Sequence, residues 1–396
     1  MLRGYKFRLY PNMEQEILIN KTFGCSRYIY NYFLEQKSTL YKNFCIKKSA
    51  FDCCKDIKVL SSELEWLKEV DSCALRTAVF DLDDAFQNFY RNTGKYPKFK
   101  SKYNYKKSYR TNNMTSEYKG NIYNSVKVDL INNLITLPKL GKVKIRGYRN
   151  LEYLNGRIIN ATISKENNRY FVSVCVEEPD IVQDEAGEDI VGIDMGVSNL
   201  ITTSDNEVYE NIHTTDKYSK RLTHLQRELS RKEKGSKNYH KCKNKINVIY
   251  RKVKNTRKYY LHEISKCLTS KYKVIVTETL KIKEMISSSK TSKNSKNSNL
   301  SKQICDVSWY ELIRQLEYKS RHRGVKFYQV DPYYPSSQKC ICCGNIDSSM
   351  KDLSKREYNC KKCHTKLNRD LNASINIRVE GIKRYFEESF RELVLG

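Results

Sequence analysis

The sequence predicts a multidomain α+β chain. A helical segment and a small β-barrel precede an α/β sheet that is interrupted by a four-cysteine metal module. Three observations carry this. Apolar residues recur at helical spacing over the first ninety or so residues and then alternate between about 120 and 180. Two short apolar runs, Ile190-Val191-Gly192-Ile193 and Val274-Ile275-Val276, each lead into one acidic residue and read as strands buried on both faces. Two C-x-x-C knuckles, Cys340/Cys343 and Cys360/Cys363, stand with sixteen residues between them. At 396 residues the chain exceeds one typical core, so two or three domains are expected.

Taken in order, residues 2–10 alternate as a first strand. Met13-Glu14-Gln15-Glu16 opens a helical stretch running to residue 92, where Leu75, Val79, Leu82, Phe86 and Phe89 form an apolar stripe. Residues 126–128, 134–137, 143–145 and 170–176 are short strands split by Asn and Gly turns, and the N-terminal strand closes them into a barrel. Residues 181–189 form an acidic linker. The strand at 190–194 pairs with 200–203, and residues 216–268 form a basic helical hairpin turning near Gly235, with Glu228, Lys232, Lys241 and Lys245 outward. Residues 286–302, rich in Ser, Lys and Asn, are expected to be mobile and to order as a lid on nucleic acid. A helix at 308–323, a strand at 325–330 and a helix at 370–387 complete the fold.

The cysteine spacing suits one structural zinc ion held by Cys340, Cys343, Cys360 and Cys363, with Cys342 left out. The other cysteines read as reduced thiols; Cys45, Cys53, Cys54 and Cys73 stand as a second candidate zinc set. Asp194 and Glu278 end their strands where open α/β sheets gather their chemistry. Asp370 follows Cys363 by seven residues at the start of a helix. Any one of the three could be a turn or cap residue. Together in a dry cleft they would repel unless cations neutralised them, and hard oxygen ligands suit two Mg²⁺ or Mn²⁺ ions. Such a pair performs phosphodiester cleavage, here on an RNase H-like sheet. Composition agrees with a polyanionic partner: 73 Lys and Arg against 45 Asp and Glu, a net charge of +28, and 30 tyrosines, several interleaved with lysines at 98–107. No apolar segment approaches the ~20 residues that span a bilayer, and the charged N-terminus lacks a signal core, so a cytosolic protein without membrane contact is expected.

Gly-Ile-Asp-Met-Gly at 192–196, Val-Thr-Glu-Thr-Leu at 276–280, Tyr-Pro-Ser-Ser-Gln-Lys-Cys at 334–340 and Asn-Arg-Asp-Leu-Asn-Ala-Ser-Ile-Asn-Ile at 368–377 resemble the TnpB family. These are transposon-encoded, RNA-guided nucleases considered ancestral to type V CRISPR effectors. Residues 6–12, 85–90 and 96–100 resemble the family as well, so the likeness runs from end to end with the motifs in order. The resemblance implies that Asp194, Glu278 and Asp370 form a RuvC-type triad binding two Mg²⁺ or Mn²⁺ ions. It implies a wedge β-barrel at 1–12 and 110–180, a helical recognition lobe at 13–109, a RuvC nuclease domain at 190–336 and 367–396, and a zinc ribbon at 337–366. The implied partners are a guide RNA from the transposon end and target double-stranded DNA, with one monomer per guide RNA. Arg76, Thr77 and Gln87 match the region that approaches the target-adjacent DNA motif; Lys98, Lys100 and Tyr103 belong to the basic, tyrosine-rich stretch. Two residues depart from the family pattern: Thr279 stands where many members carry a second polar or acidic residue, and Asn368 where many carry Asp or His. A nuclease-dead, RNA-guided repressor is the first alternative, opposed by the three intact carboxylates; a compact CRISPR effector relative is another. A DDE-type transposase lacks support because no helix-turn-helix signal stands out, and a zinc-ribbon transcription factor leaves the two acidic strand ends unexplained.

Overall fold

The computed structural model describes residues 1–103, 106–118, 121–147, 154–179, 189–291, 295–352 and 354–395. The chain divides into two compact units, Met1–Asp180 and Ile181–Gly396. The acidic linker proposed at 181–189 lies outside the described residues except for Asp189. Among the described residues no helix is long and apolar enough to cross a membrane.

The first unit runs β1 (Leu2–Tyr10), α1 (Met13–Phe44), α2 (Ala50–Glu63), α3 (Ser72–Tyr90), β2 (Lys106–Asn112), β3 (Thr115–Tyr118), β4 (Asn121–Asn124), β5 (Lys127–Asp129), β6 (Leu134–Leu137), β7 (Gly141–Arg146), β8 (Arg157–Glu166) and β9 (Arg169–Glu177). Seven strands form one antiparallel sheet in the order β2-β8-β9-β1-β7-β6-β5. The first strand sits at its centre, and its period-two pattern sends Tyr5, Phe7 and Leu9 into the core beneath α1. The barrel was expected to close by strand pairing. Among the described residues β2 and β5 share no ladder; they are linked through the Asn113 side chain, which accepts from the Val126 amide at 3.0 Å.

α1 starts where the sequence placed it. Asn12 caps the Gln15 amide at 2.8 Å while the Gln15 side chain returns to the Asn12 amide at 3.0 Å, a reciprocal capping box. Asp71 caps α3 through Cys73 N at 2.9 Å. Of the apolar stripe on α3, Leu75, Val79, Leu82 and Phe86 are buried. Phe89 is not; the helix turns it outward against Tyr96, ring centroids 5.3 Å apart.

The second unit comprises β10 (Asp189–Asp194), β11 (Asn199–Thr203), β12 (Val208–Glu210), α4 (Thr214–Ser230), α5 (Lys237–Lys271), β13 (Tyr272–Thr277), α6 (Ile282–Thr291), α7 (Ser295–Val307), α8 (Trp309–His322), β14 (Lys326–Gln329), β15 (Glu357–Asn359), β16 (Lys366–Asn368) and α9 (Arg369–Leu395). Its sheet has the order β12-β11-β10-β13-β14, an antiparallel meander followed by two parallel additions. Both faces are covered, which is why β10 and β13 read as unbroken apolar runs. Val191, Ile193 and Ile275 face a core with α5 and α8, while Val274 and Val276 face Ile377 of α9. The basic hairpin is α4 and α5, with Gly235 at φ +90° in the turn and its own apolar seam from Leu222 and Leu225 to Ile246 and Val253.

The segment 286–302 carries regular structure. Helices α6 and α7 occupy most of it, with 292–294 outside the described residues. The polar centre misleads because the anchors lie at the two ends: Ile282, Met285 and Ile286 on one side, Ile304 and Val307 on the other, all packed on the sheet core.

Two glycines set how α9 lies on the sheet. A Cβ at Gly192 would stand 2.1 Å from the Ser374 carbonyl oxygen and 2.4 Å from Arg378 N, so β10 and α9 touch backbone to backbone. A Cβ at Gly381 would stand 2.1 Å from a methyl of buried, stiff Val276 on β13. Gly192→Ala and Gly381→Ala should each destabilise the second unit by roughly 1–3 kcal/mol through overpacking. Gly24→Ala in α1, where nothing lies within 4 Å of the new Cβ, should instead gain roughly 0.5–1 kcal/mol from helix propensity. Urea melts followed by the two tryptophans check this, since buried Trp309 reports the second unit and Trp66 the first.

Candidate active site and metal module

β10 and β13 run parallel with Ile193 opposite Thr277, so the next residues, Asp194 and Glu278, emerge side by side at the carboxyl edge. α9 crosses this edge with Asp370 in its first turn. Asn368 starts the helix: its carboxamide oxygen accepts from Asp370 N at 2.9 Å and Leu371 N at 3.2 Å. A neutral cap serves here without adding a fourth negative charge. Thr279, the other departure, donates to the Val330 carbonyl at 2.6 Å and ties the end of β13 to the residue following β14.

The three carboxylates lie within electrostatic reach of one another. Burial, then the charges of Glu278 and Asp370, push the Asp194 carboxyl well above the usual carboxylate range, with Arg369 opposing. Burial chiefly, with Asp370 adding, raises Glu278 to about 7 despite a hydrogen bond from Met195 N at 3.2 Å. Each of the three carboxylates keeps an edge open to solvent. They do not close into a single-ion cage: among the described residues only the four cysteines form a group of three or more whose ligand atoms all lie within 4.8 Å of one another.

The motif around Asp370 has a structural reading residue by residue. Arg369 is buried, and its guanidinium donates to the Asp352 carbonyl at 2.8 Å. Asn372 donates to Lys339 O at 2.8 Å and accepts from Ile341 N at 3.3 Å, while Asn376 donates to Ser336 O at 2.9 Å and Lys339 O at 2.7 Å. These two buried carboxamides bolt the helix to the first cysteine knuckle. Small Ala373 and Ser374 lie between them where α9 meets Gly192. Arg356 was not anticipated. It lies 4.0 Å from Asp370 and 3.2 Å from the Ser198 hydroxyl, half exposed at the rim. A lone arginine between two knuckles carries no pattern that would have revealed it.

The metal module is built from two copies of one turn. Cys340 N donates to Asn345 O at 2.8 Å, and Cys360 N donates to Thr365 O at 3.0 Å; Gly344 and His364 take matching positive φ values of +72° and +56°. The Sγ atoms of Cys340 and Cys363 are 3.6 Å apart and those of Cys343 and Cys360 3.5 Å. Four thiolates about 2.3 Å from a central zinc ion would have edges of about 3.8 Å, so the donor set fits. Hydrogen bonding from Thr365 pulls the Cys363 thiol down to about 6, which favours its thiolate at neutral pH. Cys342 is exposed and outside the cluster. The second candidate set does not assemble: Cys53 and Cys73 are buried, Cys53 in the helical core, and no such cluster occurs among the described residues.

The nucleic-acid residues divide. Arg76, Gln87, Lys98 and Tyr103 are exposed, Tyr103 at 92%. Thr77 is not available to a ligand: it is buried, with its hydroxyl donating to Arg110 O at 2.5 Å and Ala74 O at 3.0 Å. Lys100 has an exposed stem, but its ammonium lies 3.7 Å from the centre of the Tyr30 ring, and burial lowers its pKa.

Comparison with known proteins now adds to the geometry. Residues 173–289 match a family described as "Probable transposase" of the OrfB, IS605 type, and residues 309–377 match "Cas12f1-like, TNB domain". The "Putative RNA-guided DNA endonuclease InsQ" of Escherichia coli is 32% identical over 388 residues, covering 96% of this chain and 92% of the relative. A "Putative RNA-guided DNA endonuclease" of Streptomyces pristinaespiralis is 31% identical over 96% of this chain and 89% of its own length. The chain belongs to this TnpB-like OrfB family. A solved complex of Cas12f1 with guide RNA and target DNA shares the fold, with a TM-score of 0.54 at 13% identity, covering 96% of this chain and 98% of that one. Residues 1–44 match a family described as a helix-turn-helix domain; here they form β1 and one unbroken helix of 32 residues.

Two outcomes are expected. Elemental analysis should find about one zinc per chain, lost in Cys340→Ala/Cys363→Ala and retained in Cys342→Ser. The second concerns protons. The folded chain holds a proton on Glu278 more tightly than the unfolded chain does, from an ordinary 4.5 to about 7. That contribution is present below about pH 4.5 and is lost as pH rises through about 7, on the order of 2 kcal/mol after allowing for the open edge. In metal-free protein, Glu278→Gln should therefore gain stability over wild type between pH 5 and pH 8, read by urea melts. Millimolar magnesium should close that gap at pH 8.

Proposed function

We propose that this chain is an RNA-guided DNA endonuclease of a transposable element. The observation that carries it is the meeting of Asp194, Glu278 and Asp370 at the carboxyl edge of two parallel strands, each from a segment the family shares. The second unit's sheet is read as RNase H-like and RuvC-type and the module at 337–366 as a zinc ribbon; in the first unit, the sheet is read as a wedge and α1–α3 as a recognition lobe. Curated relatives bear the name RNA-guided DNA endonuclease, and the solved relative holds a guide RNA and target DNA. A guide RNA and double-stranded DNA are accordingly the proposed partners, and the +28 charge suits both.

Asp194, Glu278 and Asp370 would hold two divalent cations, Mg²⁺ or Mn²⁺. When bound, such a pair activates water and stabilises the leaving oxygen of a phosphodiester. The protein's own contribution is positioning. The strands fix Asp194 and Glu278, and the Asn368 cap and the Asn372/Asn376 bolts fix Asp370. Met195 N keeps one Glu278 oxygen engaged, and Arg356 at the rim offers a cation to the substrate phosphate. Cys340, Cys343, Cys360 and Cys363 would hold zinc and so hold the knuckle to which α9 is bolted. Sequence recognition belongs to base pairing, with the protein reading a short duplex motif. Arg76 and Gln87 are the exposed candidates for that reading.

The test is cleavage by the guide-loaded complex. Asp194→Ala, Glu278→Ala and Asp370→Ala should each abolish magnesium-dependent cleavage, a loss of at least several hundredfold, while guide-dependent DNA binding persists in a gel-shift assay. Near wild-type cleavage by any one of them would remove that residue from the site.

A further inference from the structure

A cavity of about 220 Å³ opens beside Glu278, lined by Thr279, Leu280, Lys281, Met285, Asp331, Pro332 and Tyr334. We infer that it is a base-binding subsite for the nucleotide flanking the scissile phosphate, an assignment that rests on the endonuclease reading above. Three features point to a nucleobase. Glu278 belongs both to the carboxylate site and to the cavity wall, so an occupant would lie next to a phosphodiester placed at that site for cleavage. The volume falls below the roughly 300–1,000 Å³ typical of drug-sized ligands and suits a single ring system. The walls are chemically divided, with Leu280, Met285, Pro332 and Tyr334 supplying flat or apolar surface and charged groups at the edges.

The ring of Tyr334 is held in place. Its hydroxyl donates to Asn376 O of α9 at 3.2 Å, and the side chain packs on the Val276 and Val330 core. An aromatic fixed in this way offers a stacking face at little entropic cost. Lys281, exposed at the mouth, lies 2.7 Å from the Tyr333 hydroxyl with its ammonium 4.5 Å from that ring's centre. Asp331 lies on the same rim, its carboxylate accepting from Tyr333 N at 2.8 Å. A strand passing this mouth would keep its phosphates toward Lys281 and away from Asp331, leaving the base to turn inward. α6 begins at Ile282 and contributes Met285, so this helix is a wall of the subsite.

The experiment scans abasic sites across each cut position in DNA targets of the guide-loaded wild-type complex. One position adjacent to the scissile phosphate should lose roughly tenfold in cleavage rate, the scale of one lost base stack, with target binding unchanged. Met285→Trp, which fills the cavity, should slow the intact target by a similar factor and erase the difference between intact and abasic DNA. Lys281→Ala should weaken the salt dependence of the cleavage rate. The wild-type scan needs no variant to fold, and a urea melt of Met285→Trp separates lost fold from a filled cavity. Brisk cleavage with a flat scan, or an abasic penalty that survives Met285→Trp, overturns the subsite alone. Absence of any guided cleavage by wild-type protein overturns the endonuclease reading and the subsite with it.

Discussion

The contact on which the second unit depends is that of α9 with the sheet. β10 and β13 align Asp194 and Glu278 by ordinary parallel pairing, but Asp370 must come from another element and arrive within electrostatic reach. It does so because a backbone without a side chain at Gly192 lets a helix lie directly on a strand, and Gly381 makes room for the Val276 side chain of the neighbouring strand. Close packing tolerates no intermediate distance here. The cysteine module then fixes where along that track the helix begins. It separates β14 from α9 in sequence, and Asn372 and Asn376 join its first knuckle to the helix by four hydrogen bonds. The cysteine module is thus a mechanical part, setting the position of a carboxylate that none of its four thiols ligates.

The same contact carries a cost. Three acids gathered under dense protein repel one another, and two of them are held toward their protonated forms. Apolar residues in those places would suit the fold better. The surroundings limit the damage by using neutral groups wherever the backbone needs a partner: Asn368 rather than an acid caps α9, and a hydroxyl at Thr279 joins the strand ends. Cations bound there would relieve that repulsion, which is what a metal-dependent centre requires.

Legibility in the sequence followed the physical constraint on each residue. Buried parallel strands must be apolar on both faces and end abruptly, so β10 and β13 and their terminal acids stood out. The knuckles stood out because four thiolates around one ion admit few spacings. Strands β2 and β8 did not, because their alternation is diluted by Lys, Arg, Ser and Asn on the outer face. Helices α6 and α7 were hidden because their anchoring residues sit at the far ends of a polar stretch. Phe89 fitted the stripe by spacing yet lies where α3 has already passed beyond its partners. Helical spacing specifies a face of a helix and says nothing of where the neighbouring element stops.

Nucleic-acid contacts were the least legible, and the reason lies in the chemistry of the interaction. Affinity for a phosphate backbone is the sum of many weak, interchangeable contacts, so selection on any one lysine is slight and no spacing rule arises. A surplus of 28 positive charges announces a polyanion without saying which side chains meet it. Thr77 and Lys100 illustrate this. Both sit in segments that resemble the family, and both are engaged within the fold, one in tying β2 to α3 and the other in covering a tyrosine ring. Metal ligands and close-approach glycines have no substitutes, whereas cations on a surface do. A chain such as this one therefore spells out its chemical centre far more plainly than the surface that brings the substrate to it.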